Sequence, residues 1–158
     1  MRRTVLQLMV LVAVGAAVGL AYNAVSPSGI PLKGGKPQMW GDKGVRMMKL
    51  DEVQFYLQQP GTVLVDARSI YEYKLGHIPG ALNLPADNFD PIFPKVAPKL
   101  KVAKLVIVYC SGGSCGTSEE VAKKLMEHGL TGDRLAIFSD GLPGWMGANL
   151  PIKSGENS

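Results

Sequence analysis

Leu105 to Leu125 reads LVIVYCSGGSCGTSEEVAKKL, and the fold follows from how this stretch is divided. Leu105 to Tyr109 is a continuous apolar run rich in β-branched residues, the composition of a central parallel strand. Cys110 stands at its carboxyl end. Ser111 to Ser114 then read as a glycine-rich loop, and Thr117 or Ser118 as the cap of a helix with apolar positions Val121, Ala122 and Leu125. Glu119 and Glu120 fall in its first turn, where the helix dipole favours carboxylates, and Gly129 ends it.

Working outward, the same alternation of strand and helix continues on both sides. Val45 to Met48 predicts a short strand, and residues 51 to 57 a helix that Pro60-Gly61 ends. Val63 to Val65 is a buried strand running into Asp66, Ser69 to Lys74 a short helix or turn, and Ala81 to Leu84 a small strand. Between Asn88 and Leu100 the residues Pro91, Pro94 and Pro98 predict a broken helix. Leu135 to Phe138 is the last strand, followed by a glycine-rich turn and Trp145. Strands joined by helical connections imply an open parallel α/β sheet flanked by helices.

In such sheets ligands bind beyond the carboxyl ends of the strands, where Cys110 stands. Gly112 and Gly113 let the backbone from Ser111 to Gly116, through Ser114 and Cys115, fold into a cradle of N–H groups for a sulfur or oxyanion. A helix start behind Cys110 is expected to lower its pKa below the free value of about 8.5 and make it a reactive thiolate. Cys110 and Cys115 are the two cysteines of the chain, too close together to staple distant segments. Three roles stay open for Cys115: thiol–disulfide relay, protective partner of Cys110, or simple occupant of its position. A metal site built from Cys110, Cys115, His77 and His128 lacks a recognised ligand spacing, and no cofactor is expected.

Thr4 to Tyr22 is almost wholly apolar behind Arg2 and Arg3, long enough for the roughly 20 residues a bilayer crossing takes. An uncleaved anchor or a cleaved signal both fit. The arginines favour a domain on the non-cytoplasmic side, an asymmetry that Lys33, Lys36 and Lys43 weaken. The chain therefore divides into a membrane or signal segment (1–24), a Gly-, Pro- and Lys-rich flexible linker (25–44), one domain (45–153) and a short tail (154–158). Net charge is +4, with lysines scattered and no interleaved aromatics, a pattern that argues against a nucleic-acid partner.

Val63 to Pro85 (VLVDARSIYEYKLGHIPGALNLP) closely resembles the first signature of rhodanese-like sulfurtransferases, in which a strand ends in Asp-x-Arg and a Gly-His-Ile-Pro-Gly-Ala run leads to the next strand. Val106 to Leu125 resembles the family's strand, cysteine, loop and helix, and Gly141 to Trp145 with Leu150-Pro151 is a weaker third match. The resemblance implies a persulfide carrier at Cys110, fed by a small sulfur donor and emptied by a thiol acceptor. It implies an anion cradle from Ser111 to Gly116, Asp66 and Arg68 as a brace, His77 as a turn residue and Trp145 as core or pocket wall. A membrane protein partner is left open. One departure matters: many active members carry an arginine five residues after the cysteine, where this chain has Cys115. Thiosulfate thereby loses a partner, and so does the phosphate of the related cell-cycle phosphatases.

Overall fold

The computed structural model describes residues 2–25, 38–40, 44–113 and 115–155. The chain forms two compact units, Met1–Lys36 and Pro37–Ser158. In the first, α1 (Arg2–Val25) is one helix of 24 residues, about 36 Å long, with exposed apolar side chains such as Val5, Leu11, Val12 and Val18. Among the described residues no helix is long and apolar enough to cross a membrane. The anchor expected over Thr4 to Tyr22 is therefore not supported as a crossing; what stands there is a helix.

The second unit is a six-stranded sheet of order β1-β2-β6-β5-β3-β4, made of β1 (Gln38–Trp40), β2 (Val45–Met48), β3 (Thr62–Asp66), β4 (Leu82–Asn83), β5 (Leu105–Tyr109) and β6 (Leu135–Phe138). Every pairing is parallel except β1 with β2. β1 is a correction to the linker reading, because three of those residues add an antiparallel edge strand, with Trp40 opposite Val45. Strand β5 has its expected limits, and all five of its residues are buried.

Alternation along β5 builds two cores. Val106, Val108 and then Cys110 face one side, with Phe89, Phe93, Val121 and Leu125 from α4 (Phe89–Val102) and α5 (Thr117–Glu127). Leu105, Ile107 and Tyr109 face the other, with Val53, Tyr73 and Trp145 from α2 (Leu50–Leu57), α3 (Ile70–Leu75) and α6 (Gly141–Gly147). Helices on both faces leave the strand ends as the open surface of the sheet.

Helix α4 corrects the prediction of a broken segment. Pro91 falls in its first turn, where N–H groups lack helical partners anyway, and Pro94 and Pro98 lie inside it. All three prolines are exposed, while Phe89, Phe93, Ala97 and Leu100 are buried against the sheet. That packing offsets the lost hydrogen bonds. The glycine-rich turn before Trp145 is also helical, as α6.

The last described residues close on the start of the sheet. His77 N–H donates to Lys153 O at 2.8 Å and Lys153 N–H returns to His77 O at 2.9 Å, while Gly155 N–H reaches Lys74 O. Trp145 Nε1–H donates to Pro151 O at 2.8 Å, which fixes the indole in the core rather than on a substrate.

Candidate active site

Parallel pairing sets Asp66 of β3 opposite Tyr109 of β5, and Tyr109 opposite Phe138 of β6, so these strands end level with one another. At the end of β3, Asp66 is fully buried and holds Arg68 through backbone N–H (2.9 Å), Nε–H (3.0 Å) and NH2 (2.5 Å), while NH2 also donates to Gly76 O. Burial alone would lower the Arg68 pKa, but the Asp66 carboxylate holds it above its ordinary value. Asn83 Nδ2 donates to the carbonyls of Asp66 and Arg68 and ties β4 to the same corner. Asp66 and Arg68 thus form a buried ion pair at the end of β3.

His77 is buried with its ring stacked on Tyr73 at 3.7 Å and its Nδ1 2.9 Å from Tyr73 O. It turns the chain and does not line the cleft described below. Tyr109 accepts the Ile78 N–H through its hydroxyl, and burial, then the nearby Asp66, keeps that hydroxyl protonated.

Cys110 sits beneath the loop, 3% exposed. Its thiol donates to Cys115 O at 3.3 Å and receives Ser118 Oγ–H at 3.5 Å. Ser118 is buried inside the first turn of α5, whose cap position is Gly116, so neither Thr117 nor Ser118 caps the helix as expected. Ser118 serves the sulfur instead. Gly112 and Gly113 take φ values of +78° and +64°, and the loop is seated on the 141–145 turn: Leu142 N–H donates to Cys110 O at 3.0 Å. A Cβ on Gly141, itself at φ +57°, would stand 2.5 Å from Cys110 O. Ser114, expected in the cradle, lies outside the described residues.

Cys115 is half-buried, with Sγ 2.9 Å from Thr117 Oγ1 and its N–H donated to Gly112 O. It lines a cleft of about 480 Å³ together with Arg68, Glu72, Asp87, Ser111 and Glu120. Both cysteines are free. Burial first, then the Cys115 thiol, push the Cys110 pKa up despite hydrogen bonds from Ser118 and Gly112. At Cys115 burial is outweighed by hydrogen bonds from Cys110 and Thr117, which hold the pKa below its ordinary value. The expectation of a lowered pKa at Cys110 is thus corrected: burial raises it, and the lowered thiol is Cys115.

The acidic lining was not read from the sequence. Glu72 is the N3 partner of a Ser69 capping box and accepts from Ser69 N–H, Ser69 Oγ–H (2.7 Å) and Ser111 Oγ–H (3.3 Å). The Ser69-x-x-Glu72 spacing was the signal available for it. Glu120 pairs with Lys124 at 3.1 Å. Among the described residues no group of His, Cys, Asp or Glu could hold a metal ion.

A family model, the rhodanese-like domain, matches residues 49–148. The chain belongs to the rhodanese-like domain family. Among curated relatives, a tRNA uridine(34) hydroxylase of Pectobacterium carotovorum subsp. carotovorum is 36% identical over 84 residues, 52% of this chain and 23% of that protein. The same-named protein of Salmonella arizonae is 38% identical over 68 residues, 42% and 19%. This rhodanese-like chain thus spans about a fifth of the length of those relatives. Solved structures share the fold: the BH2092 protein of Bacillus halodurans (TM-score 0.58, 21% identity, 68% of this chain and 76% of that one) and a thiosulfate sulfurtransferase of Pseudomonas aeruginosa (TM-score 0.54, 24%, 72% and 21%).

Proposed function

We propose that this rhodanese-like domain is a sulfurtransferase or persulfide carrier that holds sulfane sulfur on Cys110. The observation that carries the reading is the seat of that thiol: it ends the central strand, accepts Ser118 Oγ–H, and lies at the start of α5 under a loop with two left-handed glycines. Such a seat offers polar hydrogens to a terminal persulfide sulfur while the loop excludes water.

The cleft selects the donor by charge. Arg68 lines it but is bound to Asp66, while Glu72, Asp87 and Glu120 line the same space, with Glu120 paired to Lys124. A doubly negative thiosulfate is disfavoured there, and a neutral or cationic persulfide donor and thiol acceptor fit. The hydroxylase relatives are named for a tRNA substrate, yet an acidic cleft suits no polyanion, so no nucleic acid is carried over.

A second reading has its own support: two free thiols in one loop suit a thiol–disulfide redox module. Mass spectrometry of the protein treated with cysteamine persulfide, then freed of donor, separates the two. Gain of one sulfur, held on Cys110 in the wild type, is the expected result; loss of two protons with no added sulfur would replace the carrier by the redox module.

Location belongs to the same proposal. The uncharged run from Thr4 to Tyr22 behind Arg2 and Arg3 supports export of the domain, as a signal segment, to the non-cytoplasmic side of a membrane, where a membrane protein could supply or take the sulfur. Cell fractionation with protease protection tests this, and intact protein in the cytosolic fraction overturns it.

A further inference from the structure

The two thiols differ in access. Cys115 lines the cleft, whereas Cys110 lies below it, 3% exposed and absent from the lining. Of the two thiols, the one a donor in the cleft faces is Cys115. The Cys110 thiol donates to the Cys115 backbone carbonyl at 3.3 Å, which holds the two residues side by side across the loop. Thr117 Oγ1, 2.9 Å from the Cys115 sulfur, steadies it at the cleft wall.

We infer that Cys115 is the entry thiol of this site, taking sulfane sulfur from a donor in the acidic cleft and passing it inward to Cys110. The inference rests on the persulfide reading above. In the first step the Cys115 thiolate attacks the outer sulfur of a donor R–S–SH. The donor S–S bond breaks, R–S⁻ leaves, and Cys115–S–SH forms. In the second step the Cys110 sulfur attacks that same outer sulfur. The S–S bond on Cys115 breaks, one forms on Cys110, and the proton given up by Cys110 ends on the Cys115 sulfur. Sulfane sulfur is exchanged between equal partners, so no oxidant or reductant is consumed.

The division of labour agrees with the two pKa shifts: the thiol with the lowered pKa is the one the donor meets, and the thiol pushed up by burial is the one that stores. Discharge runs the same path outward, with an acceptor thiol meeting the sulfur on Cys115. A persulfide on Cys110 is then out of reach of thiols too large or too negative for the cleft.

The test is a rapid-quench time course with cysteamine persulfide on the full chain, trapping persulfides by alkylation and locating the added sulfur on each cysteine by tandem mass spectrometry. In the wild type the sulfur is expected on Cys115 first and on Cys110 later. Cys115→Ser should load Cys110 about tenfold more slowly, yet still reach one sulfur per chain. Cys110→Ser should still take one sulfur on Cys115 and then lose it to a small thiol faster than the wild type does. Sulfur appearing first on Cys110, with Cys115→Ser loading as fast as wild type, would overturn the relay while leaving the carrier intact. A wild-type chain that takes up no sulfur on either cysteine would remove the persulfide reading itself.

Discussion

The corner at Asp66 and Arg68 and the loop from Cys110 to Gly116 stand at the ends of neighbouring strands, but they are built on opposite terms. The corner is closed: a buried carboxylate takes three hydrogen bonds from one arginine, and Asn83 fastens the backbone around it. The loop is open, held by glycines in left-handed conformations and by a few bonds through sulfur. One region spends its polar groups on stability, and the other keeps two thiols uncommitted. Rigid support beside an adaptable reactive loop is the arrangement that lets chemistry vary on a fixed frame.

The sharpest way to break the contrast is Asp66→Ala, which leaves the Arg68 guanidinium buried without its counter-charge. A loss of about 3 to 5 kcal/mol is expected, read as a lowered denaturant midpoint. Folded protein that remains should still load sulfur. If melting is unchanged and sulfur uptake vanishes, the corner is catalytic and the contrast fails.

Gly141→Ala comes next, because it forces an L side chain into φ +57° and drives a Cβ against the Cys110 carbonyl. It should cost about 2 to 3 kcal/mol and also slow sulfur loading, since the seat of the loop moves. Gly113→Ala is the control: its φ is +64°, but nothing lies within 4 Å of the added carbon. Its cost should stay nearer 1 kcal/mol, the conformational part alone.

Cys110→Ser should scarcely affect stability, by about 1 kcal/mol or less, while abolishing the retained sulfur. Loading of the wild type should rise with pH with an apparent pKa below that of an ordinary thiol, following the lowered pKa of Cys115. An apparent pKa above that of an ordinary thiol would make Cys110 the thiol that attacks the donor.

The smallest effect is at Glu72, whose carboxyl is held below its ordinary pKa chiefly by Ser69. Because the folded value lies below the unfolded one, its stabilisation is complete above the ordinary carboxyl range and is lost as pH falls through the lowered value. Glu72 is partly exposed, and solvent screening limits Glu72→Gln to about 0.5 kcal/mol. The substitution should erase this pH dependence in thermal melts.

Much of this was legible in the sequence, and the failures have physical causes. Strand β5 was readable to the residue, since an unbroken apolar run between Lys104 and Cys110 admits one assignment. Asp66 and Arg68 were singled out by their motif, and the structure pairs them. Helix α4 was missed because prolines were weighed one by one; their shared exposed face is visible only against the stripe of Phe89, Phe93, Ala97 and Leu100. Strand β1 was missed because three residues carry no period and exist through pairing with β2. The thiol order was misread although the clue was present: Cys110 continues the inward face of Val106 and Val108, so burial outweighs the helix start behind it.

The reciprocal bonds between His77 and Lys153 also have a mechanical meaning. A force applied to the chain beyond residue 155 arrives first at that short bridge and at the Lys74 carbonyl, where a handful of hydrogen bonds are loaded one after another like a zip. The sheet, whose central strands are locked side by side, feels the pull only after the bridge has opened. Traction on the end of the chain is thus delivered to the turn between α3 and β4, where Arg68 also holds the Gly76 carbonyl.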